Sequence, residues 1–355
     1  MVTKQRYSNI ELYRIIIMIL IVAHHYVDSS GLLEVMKQSP TSFKSIYLYI
    51  FGMWGKTGIN CFVLITGYFM CQSHITLRKF TKLVFWIEFY RIVTYLIFCA
   101  SGYINFSLAV FARNLMPVYN ITHGFVGCFL IFFLTIPFLN ILIKNMSKRQ
   151  HFLLLLLSLF IYSLWAQIPY LEVRMNYVIW FDVLYILSSY IRLHNISPHI
   201  DHKKWGWLTL LSILISVLSV VVIVYHGRPE LAYFLVSDSN ALLAVIVSVC
   251  AFMWFKSYPI KYHKWINSIG ATTFGVLLIH TNSDTMIKWL WKDSLNNVGY
   301  YDGNIYLHSV ICVLCVFFVC TIIDQLRLRF IEEPLFKVLD RYMANRNNKF
   351  IFEWV

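Results

Sequence analysis

Asn9-Ile10-Glu11-Leu12-Tyr13-Arg14-Ile15-Ile16-Ile17-Met18-Ile19-Leu20-Ile21-Val22-Ala23-His24-His25-Tyr26 lies in the first apolar run of the chain. The run is long enough for a membrane-spanning helix, which needs about 20 predominantly apolar residues, yet it holds Arg14 and His25. An ionisable side chain at membrane depth is costly and tends to be kept for function. Eleven residues at about 100° each turn a helix by about 1100°, roughly 20° past three full turns. Arg14 and His25 therefore share one stripe, about 16 Å apart along the axis. Glu11 lies about 60° from Arg14 and joins the stripe loosely. His24 is turned about 100° away from His25. Arg14 cannot touch His25, but one extended ligand can touch both.

Runs of this kind recur along all 355 residues, of which 59% are hydrophobic and 13% charged, with a mean hydropathy of +0.64. That balance leaves too few polar residues to cover a soluble surface. Strand-period alternation is absent, so the expected fold is all-α: a polytopic helical bundle forming one membrane domain over residues 1–355. Ten spans are expected. They run near Ile10–Leu32, Ser45–Cys71, Lys82–Gly102, His123–Ile143, His151–Ile168, Tyr177–Leu193, Trp205–Tyr225, Asn240–Phe255, Ile266–Trp289 and Ile305–Gln325. The N-terminal run has no small-residue cleavage site after Lys4 and Arg6, so it is read as an anchor.

A net charge of +13 would suit nucleic acid, but its placement argues against that partner. One set of loops holds Lys4, Arg6; Arg78, Lys79, Lys82; Lys144, Lys148, Arg149; Arg192, Lys203, Lys204; Lys256, Lys261, Lys264; and Arg327, Arg329, Lys337, Arg341, Arg346, Lys349. The alternate set holds only Lys37, Lys44, Arg113, Arg174, Arg228, Lys288 and Lys292, with most of the acidic loop residues, among them Glu172. By the positive-inside rule the first set faces the cytoplasm and so do both termini. The partner implied is membrane lipid. Seven of the eight cysteines sit inside apolar runs and read as small core residues. Neither Cys312-Val313-Leu314-Cys315 nor the loop bearing His194, His199 and His202 has the partners a metal needs.

Several residues can carry chemistry. A histidine in a low-dielectric site can accept a proton, and a guanidinium suits a phosphate or carbonyl oxygen. The competing reading has Arg14 snorkelling to the interface and His25 bonding a neighbouring helix. In Gly58-Ile59-Asn60-Cys61-Phe62-Val63-Leu64-Ile65-Thr66-Gly67-Tyr68 the glycines permit close helix approach. Asn60 and Thr66 can donate to a reacting oxygen there, or simply pack. His280 and Asp284 stand four apart and can pair on one helix face. Glu88 and Arg91 are three apart and neutralise each other. Arg78, Lys79 and Lys82 serve topology first, and can also hold the phosphates of a nucleotide cofactor.

Together these segments resemble acyltransferase family 3, the integral-membrane O-acyltransferases common in bacteria. Glu11, Arg14 and His25 are similar to the family's opening motif, and Thr66-Gly67-Tyr68 to its second-span pattern. Phe125 to Asn140, ending Pro137-Phe138-Leu139-Asn140, resembles the fourth span. Phe274-Gly275 to Leu278-Ile279-His280 resembles a late span ending in histidine, and Glu333-Pro334 is typical of the segment after the last span. The chain departs at Gly124-Phe125, where the family often has Trp-Phe, and shows no extracytoplasmic hydrolase-like domain.

The resemblance implies acyl transfer, commonly of acetyl, from cytoplasmic acetyl-CoA or another acyl-CoA to a hydroxyl of a cell-surface glycan or its lipid-linked precursor. The host membrane would be the inner, cytoplasmic one. Arg14 would grip the CoA and His25 would act as general base, with a covalent acyl-histidine as a variant. A transporter or flippase of a lipid-linked glycan is the main alternative, and a non-catalytic scaffold the third. Against transport, the chain has no paired Gly/Pro-broken segments and no mirrored halves.

Overall fold

Backbone polar groups have no water to bond inside a bilayer, so an apolar chain of this length satisfies them within helices. The computed structural model describes residues 7–118, 124–168, 171, 173, 175–194 and 201–345, and every regular element among them is helical. Lys4, Arg6, Glu172, Arg174, His199, Arg346 and Lys349 lie outside the described residues.

The helices are α1 (Ser8–Asp28), α2 (Leu32–Gln38), α3 (Phe43–Gly52), α4 (Gly55–Met70) and α5 (Leu77–Ala100). Next come α6 (Leu108–Asn114), α7 (Phe125–Lys144), α8 (Lys148–Leu159), α9 (Tyr177–Leu193) and α10 (His202–Tyr225). The last are α11 (Leu242–Ser257), α12 (Lys264–His280), α13 (Asp284–Ile287), α14 (Ile305–Arg327) and α15 (Glu333–Asn345). Local chemistry starts several of them. Ser42 and Thr76 cap α3 and α5 through backbone N–H groups of the first turn, and Ser147 with Gln150 forms a reciprocal capping box on α8.

Among the described residues, seven segments are long and apolar enough to cross a membrane: Ser8–Asp28, Phe43–Met70, Leu77–Ala100, Phe125–Lys144, Lys148–Gln167, His202–Tyr225 and Ile305–Arg341. The other three expected spans are shorter helices, α9 and α12 with 17 residues each and α11 with 16. Some boundaries also move. The first span ends at Asp28 rather than Leu32, because Gly31 adopts φ 93° and restarts the chain as α2. The second is two helices, α3 and α4, broken at Met53-Trp54.

The layering follows burial. Eleven of the 17 residues of α9 are buried, against six of the 24 in α10. Leu153, Leu156 and Leu157 on α8 and Leu210, Leu211 and Leu214 on α10 are exposed, which makes these two helices an outer, lipid-suited surface. At the centre, α1 packs on α3, α4, α11, α12 and α14. The approach to α4 is very close. A Cβ on Gly58 would stand 2.7 Å from Ile21 Cγ1, and one on Gly55 would overlap the ring of His24. Gly67 meets α9 in the same way at Ser188 and Tyr185. The expectation that Gly58 and Gly67 admit neighbouring helices therefore holds.

Gly58→Leu should lower the stability of the detergent-solubilised protein by about 1–3 kcal/mol through overpacking against the stiff Ile17 and Ile21. Leu157→Ile, on the exposed face of α8, should leave the melting curve unchanged. Equal melting of both variants would contradict the close α1–α4 contact.

Candidate active site

The last turn of α1, the first turns of α4, α7 and α9, and the last turn of α12 converge on a cavity of about 450 Å³. Helix ends build most of it, and Ile87 and Arg91 complete it from the middle of α5. His24 and His25 from α1 line it, with Lys56, Arg91, Tyr177 and Asp284 from other elements.

His25 is held on one side only. Its Nδ1 lies 3.2 Å from Ser29 Oγ, one turn on, and its Nε2 makes no hydrogen bond among the described residues. The ring is fixed by two edge-on contacts, to His280 at 5.4 Å and to His24 at 5.2 Å between centroids. His24 is itself anchored, with Nδ1 2.7 Å from Gly52 O. His280 is fully buried; its Nδ1 donates to Val276 O at 2.6 Å, and its Nε2 has no hydrogen-bond partner among the described residues. The arrangement is a clamped imidazole with one nitrogen turned to a cavity of substrate size.

A family model described as an acyltransferase domain matches residues 7–324, most of the chain. The chain belongs to acyltransferase family 3. No curated protein and no solved structure matches it. Membership of this family makes the protein a membrane acyltransferase.

The other residues that carry the family resemblance are dispersed. Arg14 pairs with Glu11 at 3.5 Å, with its side chain 26% exposed, and does not line the cavity. Glu11 packs against α12, where the absence of a side chain on Gly270 admits it. Asn60 is fully buried and its amide is used: Nδ2 donates to Ser239 O at 2.6 Å, and Oδ1 accepts from Trp180 Nε1 at 2.9 Å. Thr66 donates back to Phe62 O at 2.9 Å. Of the two roles open for Asn60 and Thr66, these bonds favour packing, because protein acceptors hold both donors. The expected pairing of His280 with Asp284 on one helix is not made either. The helix α12 stops at His280, Thr281 caps it, and Asp284 opens α13 at the cavity wall.

The three cations proposed for phosphates lie away from the cavity. Arg78 makes a two-pronged pair with Asp340 of α15, at 2.7 and 2.8 Å. Lys79 donates to Ser73 Oγ and His74 O, and Lys82 pairs with Glu332. Glu332 belongs to a buried network unforeseen from the sequence. Arg327 donates to Asp324 at 2.7 Å and to Glu332 at 2.5 Å, and Tyr90 donates to Asp324 at 2.6 Å. Glu88 and Arg91 do pair, at 3.7 Å, but Arg91 also reaches the cavity and donates to Met116 O. Lys56 and Tyr177 were passed over. A lysine inside an apolar run was the available signal for the first; nothing local marked the second.

Arg327→Met leaves buried Asp324 without a cation and Glu332 with Lys82 alone, so the expected loss of stability is about 3 kcal/mol. Arg78→Ala removes a half-exposed pair and should cost no more than about 1 kcal/mol. Thermal melts in detergent read both; similar losses for the two would refute the burial argument.

Proposed function

We propose that this acyltransferase is an O-acyltransferase. It moves an acyl group, acetyl foremost, from cytoplasmic acyl-CoA to a hydroxyl of a cell-surface polysaccharide or its lipid-linked precursor. The observation that carries this reading is the Nε2 of His25, which makes no hydrogen bond among the described residues and belongs to the wall of a cavity inside a family 3 acyltransferase.

The proposed setting is the inner membrane, crossed ten times, with both termini in the cytoplasm. Helix ends support it. Asn9, at the start of α1, bonds the carbonyls of Phe255 and Lys256 at the end of α11, and Ser8 bonds the backbone N–H of His263 just before α12. These ends carry the basic loops, the cytoplasmic sign. The cavity then sits toward the outer half of the bundle, near the acceptor's side.

The chemistry follows from the imidazole. With Nδ1–H donating to Ser29, Nε2 carries the lone pair and takes the proton of the acceptor hydroxyl. The hydroxyl oxygen bonds the thioester carbonyl carbon, and the carbon–sulfur bond breaks. The departing thiolate takes the proton back from Nε2, leaving an ester and a free thiol. Arg14, about 16 Å away along α1, is proposed to meet the phosphates of the donor, with Glu11 orienting its planar fork. Arg78, Lys79 and Lys82 would add to that grip once the donor competes for them.

Membranes bearing the protein are incubated with radiolabelled acetyl-CoA and the host's lipid-linked glycans. Label should enter a glycan fraction. His25→Ala should reduce this by about 10²–10⁴-fold, the range for a lost general base, and Arg14→Lys should weaken it through loss of the fork. Unchanged transfer by His25→Ala sinks the assignment of the base. No transfer by the unaltered protein removes acetyl transfer, and transport of the same glycans becomes the reading to test.

A further inference from the structure

Acyl transfer places negative charge on the thioester carbonyl oxygen as the acceptor attacks, and a site that catalyses it needs donors aimed at that oxygen. Asn60 and Thr66 do not line the cavity, and their donors already go to Ser239 O and Phe62 O. Of the polar side chains that do line it, Asp284 is a carboxylate and offers no donor, and His24 is anchored on Gly52 O. Thr281 and Asn282 donate back into α12, to Leu277 O and Leu278 O. Arg91 is held by Met116 O and Glu88. Lys56 remains. Its ammonium donates to Tyr177 Oη at 3.0 Å and sits 5.6 Å from the centre of that ring. It makes no ion pair among the described residues.

An ammonium has three N–H donors and a phenol one O–H. With a single bond made between them, Lys56 keeps two donors and Tyr177 keeps its hydroxyl proton. Both side chains line the cavity that His25 lines. An unpaired cation largely removed from water gains most from an anion arriving beside it. The ammonium also polarises the phenol and makes it a stronger donor.

We infer that Lys56 and Tyr177 form the oxyanion cradle of this acyltransferase, receiving the charge that develops on the thioester carbonyl oxygen while His25 takes the acceptor's proton. This rests on the acyl-transfer reading above. The balance is complete within the reaction. The oxygen gains charge as the new carbon–oxygen bond forms, and returns it as the carbon–sulfur bond breaks.

The test uses the full-length protein in detergent. Acetyl-CoA is one ligand; the other is its trifluoromethyl ketone analogue, whose hydrate is a tetrahedral carbon with an acidified hydroxyl that an oxyanion site binds as the alkoxide. Tyr177→Phe removes only the hydroxyl and keeps the ring contact with Phe181; Lys56→Met removes the charge. Calorimetry should show unchanged affinity for acetyl-CoA and about 10²–10³-fold weaker binding of the ketone hydrate in each variant, the scale of one lost oxyanion donor. In turnover kcat should fall while KM for the acceptor stays, and Lys56→Arg should restore part of it. Equal ketone affinity in all proteins overturns the inference. So does a loss confined to the acceptor KM, which would make Lys56 a reader of acceptor charge. A protein that transfers acetyl normally in both variants loses only this inference. One that neither binds nor transfers acetyl loses the proposed function and this inference with it.

Discussion

Much of the molecule depends on how closely α1 approaches α4. Two backbones can come together only where a side chain is missing, and Gly55 and Gly58 supply that gap. The ring of His24 fills the space a Cβ on Gly55 would need, which in turn places His25 about 100° further round the helix, at the cavity wall. Small residues here do more than bind helices together. They set the rotation of α1 and decide which of two adjacent histidines is structural and which is available.

A good part of the architecture was readable before any coordinates. Apolar runs and the alternation of basic loops located the helices, because a bilayer imposes length and charge rules that act locally in sequence. The stripe through Arg14 and His25 was likewise a matter of helix geometry. What stayed hidden was whatever depends on partners far along the chain. Asn60 could be read as a donor to substrate or as a packing residue until Trp180, 120 residues away, proved to donate to it. Arg78 and Lys82 looked like an open cationic cluster, yet Asp340 and Glu332 occupy them. Tyr177 carries no local mark at all; it matters because α9 begins beside the first turn of α4, which carries Lys56. Donor availability is a property of the folded state, and no spacing rule counts it.

Charge is handled in two ways in this chain. At the basic end of the bundle Arg327 is enclosed by Asp324, Glu332 and two aromatic rings, and the link from α14 to α15 runs directly through that cluster. Such a network sets buried charges of opposite sign against each other and holds a corner of the fold. In the cavity the arrangement differs, since Lys56 hydrogen-bonds a phenol and makes no ion pair among the described residues, with Asp28 and Asp238 acting on it only from longer range. The contrast separates charges that complete the structure from one left for a ligand to complete.

The interior helices α9 and α12 have 17 residues each, about 26 Å of rise, against roughly 30 Å for the hydrocarbon of a typical bilayer. Both end at the cavity. In the ten-span arrangement those ends stop short of the membrane surface while longer helices outside them reach it. Lipid or water has to fill the difference, and adjusting a bilayer by a few ångströms is inexpensive. On that arrangement the mouth of the cavity would be a dimple in the membrane, and the proposed lipid-linked acceptor would reach the imidazole there without its hydroxyls being stripped bare in hydrocarbon.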